Sequence, residues 1–199
     1  MKREVMLTNV EITKQIASRY HVVLERESIH AFADILVPRK YKKGERVLSE
    51  GETCECMRYI EKGMTRQFYF KYDKDLTEHI AYEGGMVICL ESYLKKEPTH
   101  LMIETLESSF IWEINKDAIE QLSLAYSDVS VLYRKFFEFS LIESQIKADT
   151  LRFEPAHERY NKLLQLHPEI LKRAPLVYVA SLLQMTPETL SRVRSASLG

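Results

Sequence analysis

Pro175-Leu-Val-Tyr-Val-Ala-Ser-Leu-Leu-Gln-Met-Thr-Pro-Glu-Thr-Leu-Ser-Arg-Val-Arg194 is the stretch whose reading decides the fold. It predicts two short helices joined by a tight turn, the helix-turn-helix arrangement that lays its second helix in a DNA major groove. Val179, Leu183, Leu190 and Val193 are spaced to pack two crossing helices together. Ala180 falls where the helices come closest, and a larger side chain would wedge them apart. Met185 marks the turn. Thr186 suits an N-cap and Pro187 the first helical position, where a missing N–H is no loss. Gln184 stands where such turns often carry glycine, which costs strain if the backbone is left-handed there.

The second helix is expected to project Pro187, Glu188, Ser191 and Arg192 outward. Arginine can bond guanine O6 and N7 bidentately, and glutamate can accept from cytosine N4. Glu188 and Arg192 lie four apart and so share a helix face. The competing reading is that Glu188 complements the helix N-terminus and bridges to Arg192. Thr186, Thr189, Ser191 and Arg194 complete the candidate DNA-facing set, Arg194 as a phosphate contact near the helix end. The alternative is a ligand-binding signalling module whose helical tail grips protein rather than DNA. Such a module would show no salt-dependent duplex binding.

Upstream, Asn9 to Val37 reads as helix, with Ile29, Phe32, Ile35 and Leu36 on one face. From Tyr41 to Ile114 the pattern changes to short strands at 46–48, 57–60, 65–70, 78–81, 86–88, 101–103 and 109–112. Gly44, Gly51, Gly63, Tyr72-Asp-Lys-Asp75, Gly84-Gly85 and Pro98 punctuate them, as in a β-sandwich or jelly roll. Helix returns after Asn115. From Ser127 to Thr150 the residues Val129, Leu132, Phe136, Phe139 and Ile146 follow an a/d-like spacing that Glu143 interrupts. Such a stripe can pack on its own domain, but the aromatic-rich seam favours pairing with a second copy. A dimer would set two recognition helices one DNA turn apart. A further amphipathic helix is expected from Pro155 to Leu171, through Tyr160, Leu163, Leu164 and Leu166. The fold class is thus α+β: a β-roll or jelly roll with flanking helices over 1–126, a dimerisation helix over 127–150, and an all-α helix-turn-helix domain over 151–199.

Composition narrows the function. No run is long and apolar enough to span a bilayer and no signal-peptide core is visible, so the expected location is the cytoplasm, with no membrane partner. The net charge of −1 is uneven: residues from Thr150 onward carry +3 and the rest −4. A mildly basic tail on an acidic body suits a module that meets phosphates. Cys54 and Cys56 are too close for a relaxed disulfide and lack the company of a metal site, so with Cys89 they read as buried or idle thiols. Neither a His/carboxylate metal cluster nor a nucleophile–base pair stands at convincing spacing. No catalytic or metal-binding residues are therefore expected, and the chain is not read as an enzyme.

The order of parts resembles the CRP/FNR family of bacterial transcription regulators. In the β-region the resemblance rests on Lys43-Gly-Glu45, Gly51-Glu52, Tyr59-Ile-Glu-Lys-Gly63 and Gly84-Gly85. At the other end it rests on Arg159-Tyr160, Leu163-Leu164, Arg173-Ala-Pro-Leu176 and Thr186-Pro-Glu-Thr-Leu-Ser-Arg192. It implies an effector-sensing β-roll, a long dimer helix and a DNA-reading C-terminus. The implied partners are double-stranded DNA, a second copy and RNA polymerase. The family's paired Glu and Arg on the recognition helix match Glu188 and Arg192.

The sensing segment departs from that pattern. A cyclic-nucleotide member carries Gly-Glu followed by Arg-Ser or Arg-Thr to hold ribose and phosphate. Here Ile88-Cys-Leu-Glu-Ser-Tyr-Leu-Lys-Lys-Glu-Pro-Thr-His100 replaces the glycine by Cys89, displaces Glu91 by one position and puts Thr99-His100 where Arg-Ser would stand. A buried phosphate without that Arg loses its main partner. Cyclic AMP is therefore not expected; if it did bind, another residue would have to supply the charge, Arg66 or Arg58 first. Glu91, Ser92, Thr99 and His100 remain the candidate effector-pocket residues. FNR-type iron–sulfur sensing needs an N-terminal cysteine cluster, and no cysteine precedes Cys54. His79 and His100 could serve a haem, although a lone histidine is more often structural.

Overall fold

In the computed structural model, which describes residues 7–197, the expected Asn9–Val37 helix is two helices, α1 (Asn9–Arg19) and α2 (Arg26–Asp34). A capping box starts α1: the Thr8 hydroxyl accepts from the Glu11 N–H, and the Glu11 carboxylate accepts from the Thr8 N–H. His21, at φ 55°, turns the chain out of α1. Leu36 and Val37 do not prolong α2 but open β1 (Leu36–Tyr41). Pro38 is the reason, because it forces the preceding residue into extended backbone.

Seven strands follow, one at each expected position: β2 (Arg46–Leu48), β3 (Cys56–Lys62), β4 (Met64–Lys71), β5 (Lys74–Tyr82), β6 (Met86–Val87), β7 (Met102–Thr105) and β8 (Ser109–Asn115). They form two four-stranded antiparallel sheets, in the orders β1-β8-β3-β6 and β2-β7-β4-β5. Met57, Tyr59 and Ile60 of β3 and Ile111, Trp112 and Ile114 of β8 are all buried. Period-two alternation is lost there because both faces of the sheet are covered. Gly63 joins β3 to β4 at φ 104°, and a Cβ there would collide with Ser109. Tyr72 and Asp73, both left-handed, turn β4 into β5 within two residues, which matches the twist of the paired strands.

A short helix, α3 (Leu90–Lys95), lies between β6 and β7, and α4 (Lys116–Ala125) follows β8. The long helix α5 runs from Ser127 to Phe153, past the expected end at Thr150. Its apolar stripe divides. Val129, Leu132 and Phe136 are buried in this chain's own core with Ile12, Ile16, Tyr20 and Phe32. The Tyr20 ring meets Phe136 and Phe139 edge-on at 5.8 and 5.3 Å. The first half of the stripe is thus already occupied, which corrects the expectation that it faces a second copy. Beyond Phe139, Ile146 and Phe153 continue the a/d spacing past Glu143, with Ile142 one position to the side, and all three apolar residues are exposed.

The rest is helical: α6 (Ala156–Leu166), α7 (Pro168–Arg173), α8 (Leu176–Leu182) and α9 (Pro187–Ser197). The expected Pro155–Leu171 helix is broken after Leu166, where Pro168 starts a new one. Tyr160 and Leu163 enter a second core with Ile170, Val179, Ala180, Leu183 and Leu190, whereas Leu164 and Leu166 face solvent. That core also takes in Met64, Ile80 and Leu106, so the C-terminal helices dock on the β-roll. No helix among the described residues is long and apolar enough to cross a membrane.

Candidate nucleic-acid interface and effector segment

The turn between α8 and α9 forms as the sequence requires. Ala180 is buried, and its carbonyl accepts from the Met185 N–H at 2.9 Å. Gln184 adopts φ 50°, so the strain expected at this non-glycine position is present. The Thr186 hydroxyl accepts from the Thr189 N–H at 3.2 Å and caps α9. Val179, Leu183 and Leu190 are buried behind the turn and Val193 packs against them.

Thr186, Pro187, Glu188, Ser191, Arg192 and Arg194 face solvent together, and Thr189 is half-buried. Arg192 Nη2 donates to Thr189 Oγ1 at 3.3 Å and is otherwise extended into water. The Glu188 carboxyl is held below the usual carboxylate range by its own backbone N–H, the Thr186 hydroxyl and, more weakly, Arg192. It is therefore ionised, and can act as an acceptor, at neutral pH. Its helix-terminal contacts leave the exposed face of the side chain open.

The four candidate effector residues do not converge. Glu91 points outward and pairs with Lys95 at 2.7 Å. His100 is also exposed, against the Tyr69 ring at 5.6 Å between centroids. Ser92 is buried and structural: its hydroxyl accepts from the Cys54 N–H and donates to the Glu97 carbonyl. Thr99 is buried, and its backbone bonds both Gly51 and Glu52. The fully buried Tyr93 occupies the interior behind the segment, its hydroxyl 3.1 Å from that of Tyr133 on α5.

Neither spare arginine is free. Arg58 bonds the Glu113 carboxylate and the Cys56 carbonyl, each at 3.2 Å. Arg66 is clamped by Asp75 at 2.6 and 2.7 Å and by Glu104 at 2.6 Å. Its guanidinium lies 3.8 Å from the centroid of the Phe68 ring and 3.6 Å from that of Tyr178.

Residues 38–126 match the cyclic nucleotide-binding domain family. Comparison with curated protein sequences gives no match. Among solved structures, FixK2 from Bradyrhizobium japonicum superposes with a TM-score of 0.67 at 19% identity, over 81% of this chain and 84% of that one. The c-di-GMP-responsive regulator CLP of Xanthomonas campestris gives 0.65 at 19% identity, over 87% and 92%. A protein from Eubacterium rectale, described as a transcriptional regulator of the CRP/FNR family, gives 0.65 at 14% identity, over 88% and 84%. This chain has the CRP/FNR fold.

Within that CRP/FNR architecture, the residues the sequence did not reveal are those joining the C-terminal helices to the β-roll. Ser181 Oγ accepts from the Thr77 N–H at 2.8 Å, so α8 lies along β5. Arg173 is bidentate to Glu83 at 2.7 and 2.9 Å and also bonds Glu107. Lys147 bonds Glu78, and the Tyr82 hydroxyl lies 3.1 Å from His167 Nδ1. The one legible signal was Arg66 itself, a charge beside the apolar run Phe68-Tyr-Phe70.

His79 of β5 sits at this junction. Burial pushes its pKa down to about 4, and Lys147 and His167 push the same way against Glu78. Between that value and the ordinary 6.5, the unfolded chain binds a proton that the folded chain refuses. Stability therefore rises with pH across the window and is lost on acidification through it. Urea midpoints measured from pH 7 down to pH 4 should fall, and His79→Gln should flatten the slope. An unchanged slope in that variant would remove His79 as the cause.

Proposed function

We propose that this chain is a homodimeric, sequence-specific DNA-binding transcription regulator whose β-roll does not take cyclic AMP. The observation that carries the reading is the solvent-facing row Pro187, Glu188, Ser191 and Arg192 on a capped α9, backed by the buried Val179, Leu183 and Leu190. That is the geometry a recognition helix needs: a rigid base and an unobstructed polar face. The fold shared with CRP/FNR regulators supports the same reading.

Arg192 is assigned to a base edge in each half-site of a two-fold duplex, and Arg194 to phosphate. Loss of a bidentate Arg–guanine pair costs about 1–3 kcal/mol per half-site. Arg192→Ala should weaken binding to a selected operator far more than to random duplex. Arg194→Ala should weaken both alike and flatten the salt dependence. Titration at two salt concentrations separates the cases. Equal losses on operator and random duplex for Arg192→Ala would make it a phosphate anchor.

Pairing of copies is assigned to the exposed part of α5. Phe139, Ile142, Ile146 and Phe153 form the seam, with Ile142 57% and Ile146 56% exposed. Neither isoleucine belongs to the chain's own core, so Ile142→Glu with Ile146→Glu should leave the fold intact and give monomers in sedimentation. A monomeric unmodified protein at micromolar concentration defeats the assignment.

The effector assignment rests on charge. A cyclic phosphate entering the roll would find Arg58 and Arg66 already paired. Calorimetry with cyclic AMP should give no binding at micromolar concentrations. Tight binding would mean that one of these arginines changes partners.

A further inference from the structure

We propose that Arg159 is a positioning residue: its guanidinium locks the turn before α9 to the end of α5 and so sets the spacing at which two copies read their half-sites. The spacing rests on the dimeric DNA-binding reading above; the lock does not. Tyr160 beside it is buried in the second core, whereas Arg159 is half-buried and reaches two other elements from α6. Nη1 donates to the Glu154 carbonyl at 3.1 Å, and Nη2 donates to the Gln184 carbonyl at 3.3 Å. Glu154 closes α5, and Gln184 is the left-handed residue of the turn.

The torsions at the joint show why one side chain matters. Only Glu154 and Pro155 separate α5 from α6. Glu154 φ is held by the helical bond from its N–H to the Thr150 carbonyl at 3.1 Å. Pro155 φ is held by its ring. The Pro155 carbonyl accepts from the N–H groups of Glu158 and Arg159 at 3.1 and 3.2 Å, which holds ψ there. One torsion is left, Glu154 ψ, at 137°. The following proline keeps it extended but leaves a range of about 40°. That torsion turns the Glu154 carbonyl, the group that Arg159 Nη1 grips. The guanidinium is planar, so the two carbonyls it bonds are kept at a fixed separation.

Packing alone does not account for this corner. Glu154 Oε2 and Arg159 Nε are buried without a hydrogen-bond partner, two of the three such side-chain atoms among the described residues. An unfilled buried donor and acceptor carry a cost that a purely structural contact has no reason to keep. Tyr178 and Ser181 tie α8 to the roll. The Arg159 bridge ties the turn that follows to α5, the helix with the proposed seam.

The test has two arms, both on the full chain. Without DNA, residual dipolar couplings of backbone amides report whether α5 and α9 share one frame. In the unmodified protein both helices should fit a single alignment tensor. In Arg159→Ala the α9 couplings should shrink or rotate against those of α5, while α6 to α9 stay mutually consistent. Arg159→Lys reaches one carbonyl but not both and should fall between, which also keeps the test open if alanine disrupts the fold. Either variant sharing the frame of α5 as the unmodified protein does overturns the proposal. With DNA, the spacer of a selected operator is changed by one base pair, which turns one half-site against the other. The unmodified protein should lose about tenfold in affinity and Arg159→Ala less than about threefold, with the ranking of single-base changes inside a half-site kept. An equal spacer penalty in both overturns the proposal. An unmodified protein that selects no duplex site defeats the DNA-binding reading instead, and the couplings then decide the lock.

Discussion

A guanidinium with almost no water around it holds the two halves of this protein together. The Arg66 side chain is 3% exposed, and such a charge costs several kcal/mol unless it is fully paired. Pairing comes from Asp75 on β5 and Glu104 on β7, and the flat faces of the ion are covered by Phe68 on β4 and Tyr178 on α8. A desolvated cation–ring contact is worth about 2 kcal/mol, so Tyr178 is an energetic part of the cage. The position of α8 follows from it, and Ser181 on Thr77 fixes its register along β5. The direction of α9 is inherited through the turn. The exposed face of α9 is thereby referenced to the β-roll rather than to a loose tether.

The long helix α5 shows how one element serves two partners without conflict. Successive residues step about 100° around a helix. Val129, Leu132 and Phe136 fall on one side and complete the chain's own core. Ile142, Ile146 and Phe153 fall on a neighbouring side and are exposed, while Lys147 of the same stretch still reaches Glu78 of β5. Phe139, against Tyr20, is the hand-over point. The roll therefore completes its core without these residues, and the proposed dimer would draw on surface that folding has not used.

Much of this was legible in the sequence because it depends on local chemistry. Glycines and short apolar runs marked the strands, and Thr186-Pro187 marked the start of α9. The failures had local causes as well. Pro38 and Pro168 ended helices that apolar spacing alone would have continued. The a/d stripe was visible, but which partner each part of it faces is a property of the packed chain. The effector residues follow a family pattern that this segment does not keep: Glu91 turns outward to Lys95 and His100 to the Tyr69 ring. The clasp around Arg66 joins residues more than a hundred positions apart, beyond the reach of any periodicity.

The left-handed Gln184 gives the protein room to evolve. A side chain in that conformation costs about 1 kcal/mol relative to glycine, and the cost is borne at a position that contributes no side chain to the core. Its N–H donates to the Ser181 carbonyl at 3.0 Å and its carbonyl accepts from Arg159 Nη2 at 3.3 Å, and glycine would keep both bonds. A single replacement can therefore restore stability without moving either helix. An average destabilising substitution elsewhere in a chain costs about 1 kcal/mol. The turn thus holds a reserve that one replacement at Gln184 can release to offset it.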